Sequence, residues 1–225
     1  MNEFFKNQTV IFYVFLAVSV VISRLPVVGK YFIGINTMIH ETGHALMALF
    51  LSGKVHKIDL SSDTSGSVLT STDNKFKSFL VSVIGYPFSA ATAYVFFYFI
   101  HKQAYEYVLF TLACIAILNL IMYVRNGYGI FWLISFLILS GLIFYFKIQI
   151  LLFAFVLFCS FIILSDSVLS AIILLFISLK TPKAAGDAKN LADFTHIPAF
   201  FWALLFVAFT LFMAYKSIIS FFPHF

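Results

Sequence analysis

The chain has 225 residues, 62% of them hydrophobic and only 10% charged, with 31 phenylalanines. That balance excludes a soluble domain of this size, and apolar runs long enough to cross a bilayer recur from end to end. The expectation is an all-α polytopic membrane protein, a single integral membrane domain over 1–225. The net charge of +5 does not point to nucleic acid, because the basic residues are spread one to four per loop, as topology signals are. Cys114 and Cys159 both lie inside apolar runs, where they read as small hydrophobes.

In chain order, the predicted spans are 9–23, 32–52, 78–100, 105–124, 128–146, 148–179 and 197–215, about seven in a range of six to eight. The first follows Lys6 and contains the small-residue triplet Ala17-Val18-Ser19, a signal-peptide trait. The apolar run continues past it to Ile22 before Arg24 and Pro26, so an uncleaved span is favoured.

The second span carries His40-Glu41-Thr42-Gly43-His44. Histidines four apart share one face of a helix and can grip one metal ion, and the glutamate between them is placed to take a proton from a metal-bound water. At this chain's own His and Glu frequencies, such a motif arises by chance in roughly a few chains per thousand. The bland alternative is a pair of core histidines hydrogen-bonded to neighbouring helices, with Glu41 as their partner. A bilayer span normally excludes such residues, so three within five positions are a functional signal. Zinc suits imidazole nitrogens plus a carboxylate with one position left for water. Asn36, Thr37 and Thr42 are the polar positions on this helix available to line a water-filled cavity.

After this helix, Gly53 stands where a C-cap glycine belongs. Lys54–Leu60 and Ser67–Thr72 read as strands joined by the turn-rich Ser61 to Gly66, a β-hairpin. It is either an ordinary surface hairpin or an edge strand beside the metal helix, able to hold an extended peptide by strand addition.

Region 148–179 is ambiguous. As one helix it would be about 48 Å long, well over the bilayer core; alternatively it breaks near Ser165-Asp166-Ser167. With a single crossing, Lys6, Lys54, Lys57, Lys75, Lys77, Arg125, Lys180, Lys183 and Lys189 fall on one side, against Arg24, Lys30, Lys102, Lys147 and Lys216. With two crossings the split is even. The positive-inside rule therefore favours one crossing and a cytoplasmic N-terminus.

The remaining acids offer few ligands. Asp166 lies inside an apolar run, either functional or the N-cap of a helix after a break; Asp187, in Gly186-Asp187-Ala188, has an N-cap reading too. His56, His101 and His196 lie near span ends or in loops, where interfacial histidines are unremarkable.

His40-Glu41-Thr42-Gly43-His44-Ala45-Leu46 running into Gly53-Lys54-Val55, then Ser65-Gly66 and Gly85-Tyr86, resembles the site-2 protease class of intramembrane zinc metallopeptidases. Within that class it is similar to the short branch called M-fifty-B-like. Arg125-Asn126 with Gly129, and Gly186-Asp187-Ala188, Leu191-Ala192, Thr195, Ile197-Pro198 and Trp202-Ala203, resemble further segments of that branch, so the likeness covers roughly 36–215. It implies a zinc peptidase with His40 and His44 as ligands and Glu41 as general base, acting on peptide bonds of membrane-embedded or membrane-proximal substrates. One departure stands out. Better-known members take a third ligand from the aspartate of a Leu-Asp-Gly step, and Asn119 to Gly127 offers Asn126-Gly127 instead. The third ligand therefore moves to Asp187, in the branch's equivalent position, with Asp166 second and Asn126 a poor substitute.

Two other readings stay open: a non-catalytic relative that binds partner helices, and a cation or proton transporter, against which the absence of an internal repeat argues. Lysine-rich, weakly charged loops with abundant Phe and Ile suggest a bacterial plasma membrane.

Overall fold

The computed structural model describes residues 7–222; Glu3 and Lys6, the latter counted among the topology charges, lie outside them. The described residues form eight α-helices and one hairpin: α1 (Gln8–Ser23), α2 (Val28–Phe50), β1 (Lys54–Leu60), β2 (Gly66–Ser71), α3 (Lys75–His101), α4 (Tyr105–Leu118), α5 (Gly127–Phe146), α6 (Gln149–Lys180), α7 (Gly186–Thr195) and α8 (Ala199–Phe221). A π-helical turn, Asn119–Tyr123, extends α4.

All seven expected helical stretches are helices, but they do not count as seven spans. Five of them, α3, α4 with its π turn, α5, α6 and α8, are each long and apolar enough to cross a membrane. α1 and α2 meet at 104° and add one more span only when taken together, so the count is five or six. The reason is local. The 16 residues of α1 reach about 24 Å, short of the ~30 Å hydrocarbon core. α2 is long enough, but its polar residues spoil its hydropathy. An integral multi-pass membrane protein follows from this architecture.

α6 resolves the ambiguity of 148–179. It is one helix of 32 residues, unbroken at Ser165-Asp166-Ser167. The serines do not interrupt it because their hydroxyls donate to carbonyls of the preceding turn, Ser165 to Phe161 and Ser167 to Leu164.

α2 runs between α1, α3, α6 and the hairpin. Its buried face joins a large aromatic core in which Trp132, Phe96, Phe97, Phe136 and Phe161 are fully enclosed. The Trp132 indole donates to the Tyr31 carbonyl at 2.8 Å, fixing α5 against the start of α2. A second cluster, including Leu174, Ala188, Leu191, Ala203 and Phe206, ties α7 to α6 and α8.

The strands pair antiparallel from Lys54↔Ser71 to Leu60↔Gly66, with an irregularity at His56. The left-handed residue ending α2 is Ser52 (φ 58°), not Gly53. Gly53 is needed for a different reason: a Cβ there would lie 2.6 Å from the Ser71 carbonyl oxygen. The turn is held by Asp63, which accepts from the Ser65 hydroxyl and N–H, and these bonds keep its carboxyl below the ordinary value.

Candidate metal centre

Asn36, His40 and His44 recur every four residues along one stripe of α2, and all three line one cavity of about 640 Å³. α3 sets the back of this site. His44 Nδ1 lies 2.6 Å from the Val81 carbonyl oxygen, so that nitrogen carries the proton and Nε2 presents its lone pair to the cavity. The Tyr86 ring meets the His40 ring edge-on at 4.7 Å and stacks on Phe206 behind it. Between the two contacts, Gly85 leaves no room for a side chain: a Cβ there would press on His44 Nε2 and lie 2.6 Å from His40 Nε2.

α7 brings the third group. Its Ala188 and Leu191 are buried in the second core cluster, and Asp187, one residue before Ala188, is thereby directed at α2. Gly186 opens the helix at φ +43° and His196 closes it at φ 61°. Thr195 finishes the joint: its hydroxyl oxygen accepts from the Trp202 indole at 3.1 Å. Asp187 does not act as an N-cap. Its Oδ2 lies 3.3 Å from His40 Nε2 and 3.2 Å from His44 Nε2, and the two Nε2 atoms are 3.0 Å apart.

The donor set fits a zinc ion. Tetrahedral ligands at 2.0–2.2 Å from zinc lie roughly 3.3 Å from one another, and the three observed separations fall beside that value. Two imidazole nitrogens and one carboxylate oxygen are also the ligand chemistry zinc takes in catalytic sites. Among the described residues this is the one group of three or more His, Cys, Asp or Glu side chains so gathered.

Glu41 follows His40 and lines the same cavity, 6% exposed. The hairpin covers it. Thr37 donates to the Thr64 carbonyl at 2.8 Å, and Gly66 sits so close that a Cβ there would be 2.7 Å from Glu41 Oε1.

Other expected positions are placed elsewhere. Asp166 lines the cavity but stands apart from the metal-ligand cluster, receiving a hydrogen bond from Asn36 Nδ2 at 2.7 Å. Asn126 is no ligand: it accepts from the Leu60 N–H at 3.2 Å and donates to the Leu60 carbonyl at 2.5 Å, clamping the end of β1. Thr42 faces away from the cavity and accepts from Asn119 Nδ2 at 2.8 Å. His56 pairs with the Ser71 hydroxyl in the exposed hairpin, and His101 closes α3.

A family model described as Peptidase M50B-like matches residues 11–217, nearly the whole chain. No curated protein and no solved structure matches it.

Proposed function

The chain belongs to the Peptidase M50B-like family, and we propose that it is an intramembrane zinc metalloprotease in which His40, His44 and Asp187 hold the metal and Glu41 is the general base. The observation that carries this reading is the convergence of three ligand atoms from α2 and α7 at zinc-like spacing, beside a buried glutamate. Zinc held by His40, His44 and Asp187 would supply a Lewis acid for the scissile carbonyl and would lower the pKa of a water to about 7.

The chain's own residues do the rest. Glu41 takes the proton of the attacking water on its carboxylate and returns it to the leaving amine nitrogen. The Val81 carbonyl holds the His44 tautomer that leaves Nε2 free. Thr37, Thr64, Ser65 and Ser67 give the cavity a polar lining that admits water between apolar helices. β2 borders the cavity through Gly66 to Val68 and Thr70, and its second edge pairs with no strand among the described residues. An extended segment of a membrane-embedded or membrane-proximal protein would add to that edge. Eight basic residues on the hairpin side support a cytoplasmic position for that face by the positive-inside rule.

The test is Glu41→Gln, assayed on β-casein in detergent micelles alongside the zinc content of the protein. The expected result is zinc retained and cleavage reduced at least about a hundredfold, the weight of general-base catalysis. Cleavage at the wild-type rate would remove Glu41 from the mechanism.

A further inference from the structure

The cavity contains a carboxylate that hydrolysis leaves unused. Asp166 lies midway along α6, and among the described residues it takes one hydrogen bond, from Asn36 Nδ2. The five ion pairs of the described residues all involve other groups. Asn36 is itself 4% exposed, and its Oδ1 has no hydrogen-bond partner. The second Asp166 carboxylate oxygen therefore faces the cavity with no donor among the described residues, beside an enclosed Asn36 carbonyl that also lacks one, and an acceptor left unpaired in such a place is costly. Whatever fills that space has to bring N–H or O–H groups.

Charge decides which kind. Glu41, Asp166 and Asp187 all line the cavity, no lysine or arginine among the described residues lines it, and Arg24 acts on Asp166 only from outside it. A divalent ion at the His40–His44–Asp187 centre offsets two of their negative charges and leaves one. A neutral donor would satisfy the hydrogen bonds and leave that charge; an ammonium or guanidinium satisfies both. Beyond Asp166 the α6 wall turns from Ser170 to the apolar Ile173 and Ile177, which suits the aliphatic stem of a long basic side chain.

We propose that Asn36 and Asp166 form a subsite for one lysine or arginine side chain of the cleaved segment, next to the metal centre. The proposal rests on the metalloprotease reading and adds to it a preference for substrates with a basic residue near the scissile bond.

The experiment uses three short peptide hydroxamates that differ only in one side chain: lysine, N-acetyl-lysine or norleucine. Their affinities are measured by calorimetry on detergent-purified protein of known zinc content, for wild type, Asp166→Asn and Asp166→Glu. The lysine probe should bind wild type at least about tenfold more tightly than either neutral probe, the weight of one charge-assisted hydrogen bond. That ratio should survive in Asp166→Glu and vanish in Asp166→Asn, with norleucine affinity and zinc content held. Equal affinities in wild type, as a protonated Asp166 closed onto Asn36 would give, overturn the subsite whether or not the variants fold. So does a preference that persists in Asp166→Asn. Wild-type protein that takes up no zinc and binds none of the probes overturns the metal reading, and the subsite with it.

Discussion

At the scale of single residues, the site depends as much on what is missing as on what is present. Gly85 carries no chemistry, yet a methyl group there would occupy the space in which the two Nε2 atoms converge. Gly85→Ala should therefore lower zinc per chain severalfold while leaving the melting temperature within a few degrees, since alanine is the better helix former and only the cavity edge is disturbed. Elemental analysis beside a thermal melt checks this; full zinc occupancy in the variant would mean the histidines can yield. The three clustered side chains themselves are legible in the sequence. His40 and His44 were marked by their spacing, and Asp187 by its place in a family-like segment. Gly85, Tyr86 and Asn36 were not legible as site residues in the same degree, because each owes its role to a neighbour supplied by another helix.

At the scale of elements, the hairpin is tied down at points that local patterns do not reveal. Asn126 substitutes for a strand by engaging both the N–H and the carbonyl of Leu60, and Ile58 forms a parallel bridge with Val124 beside it. Two side-chain-to-backbone hydrogen bonds at about 1 kcal/mol each put the anchor at about 2 kcal/mol. Asn126→Ala should raise amide hydrogen exchange in β1 and β2 by roughly tenfold or more without affecting exchange in α3 or α6. Unchanged exchange in the hairpin would show that Thr37 and the strand pairing suffice to hold it. The helices and the hairpin were readable from hydropathy and turn residues to within a few positions. The α1–α2 bend was not, because Arg24 to Val27 separate two apolar runs without stating the angle between them. A break at Ser165-Asp166-Ser167 is one of two readings the sequence allows, because serine and aspartate favour caps, and charge counting favours the other. In the fold their side chains are otherwise engaged, and α6 continues through.

For the whole molecule, four helices separate the hairpin from α7, and an even number of crossings returns the chain to the side it left. The structure agrees at three places: residues 64–70 and 186–190 line one cavity, and Asn126 between α4 and α5 reaches β1. At the far side, Tyr105 and Phe153 rings lie 5.1 Å apart and join the starts of α4 and α6, and Phe97 meets Phe221 at 6.1 Å. Lys54, Lys57, Lys75, Lys77, Arg125, Lys180, Lys183 and Lys189 thus share the hairpin side, while Lys30, counted on the opposite side, lies near enough to act on Asp63 in the hairpin turn. Single cysteines at Lys57, Arg125 and Lys183, in protein lacking Cys114 and Cys159, should label from the cytoplasmic face, and those at Lys102 and Lys147 from the opposite face. Labelling of Lys57→Cys and Lys183→Cys from different faces would contradict a single crossing by α6.

The candidate metal centre is where residue, element and topology meet, since Asp187 reaches α2 only if the four intervening helices make an even number of crossings. The most direct measurement is zinc per chain, by elemental analysis of detergent-purified wild type, His44→Ala, Asp187→Ala and Asp166→Ala. The expected result is about one zinc in wild type and in Asp166→Ala, and little in His44→Ala and Asp187→Ala, in keeping with a three-ligand site. Full zinc in Asp187→Ala, or none in carefully purified wild type, would contradict it.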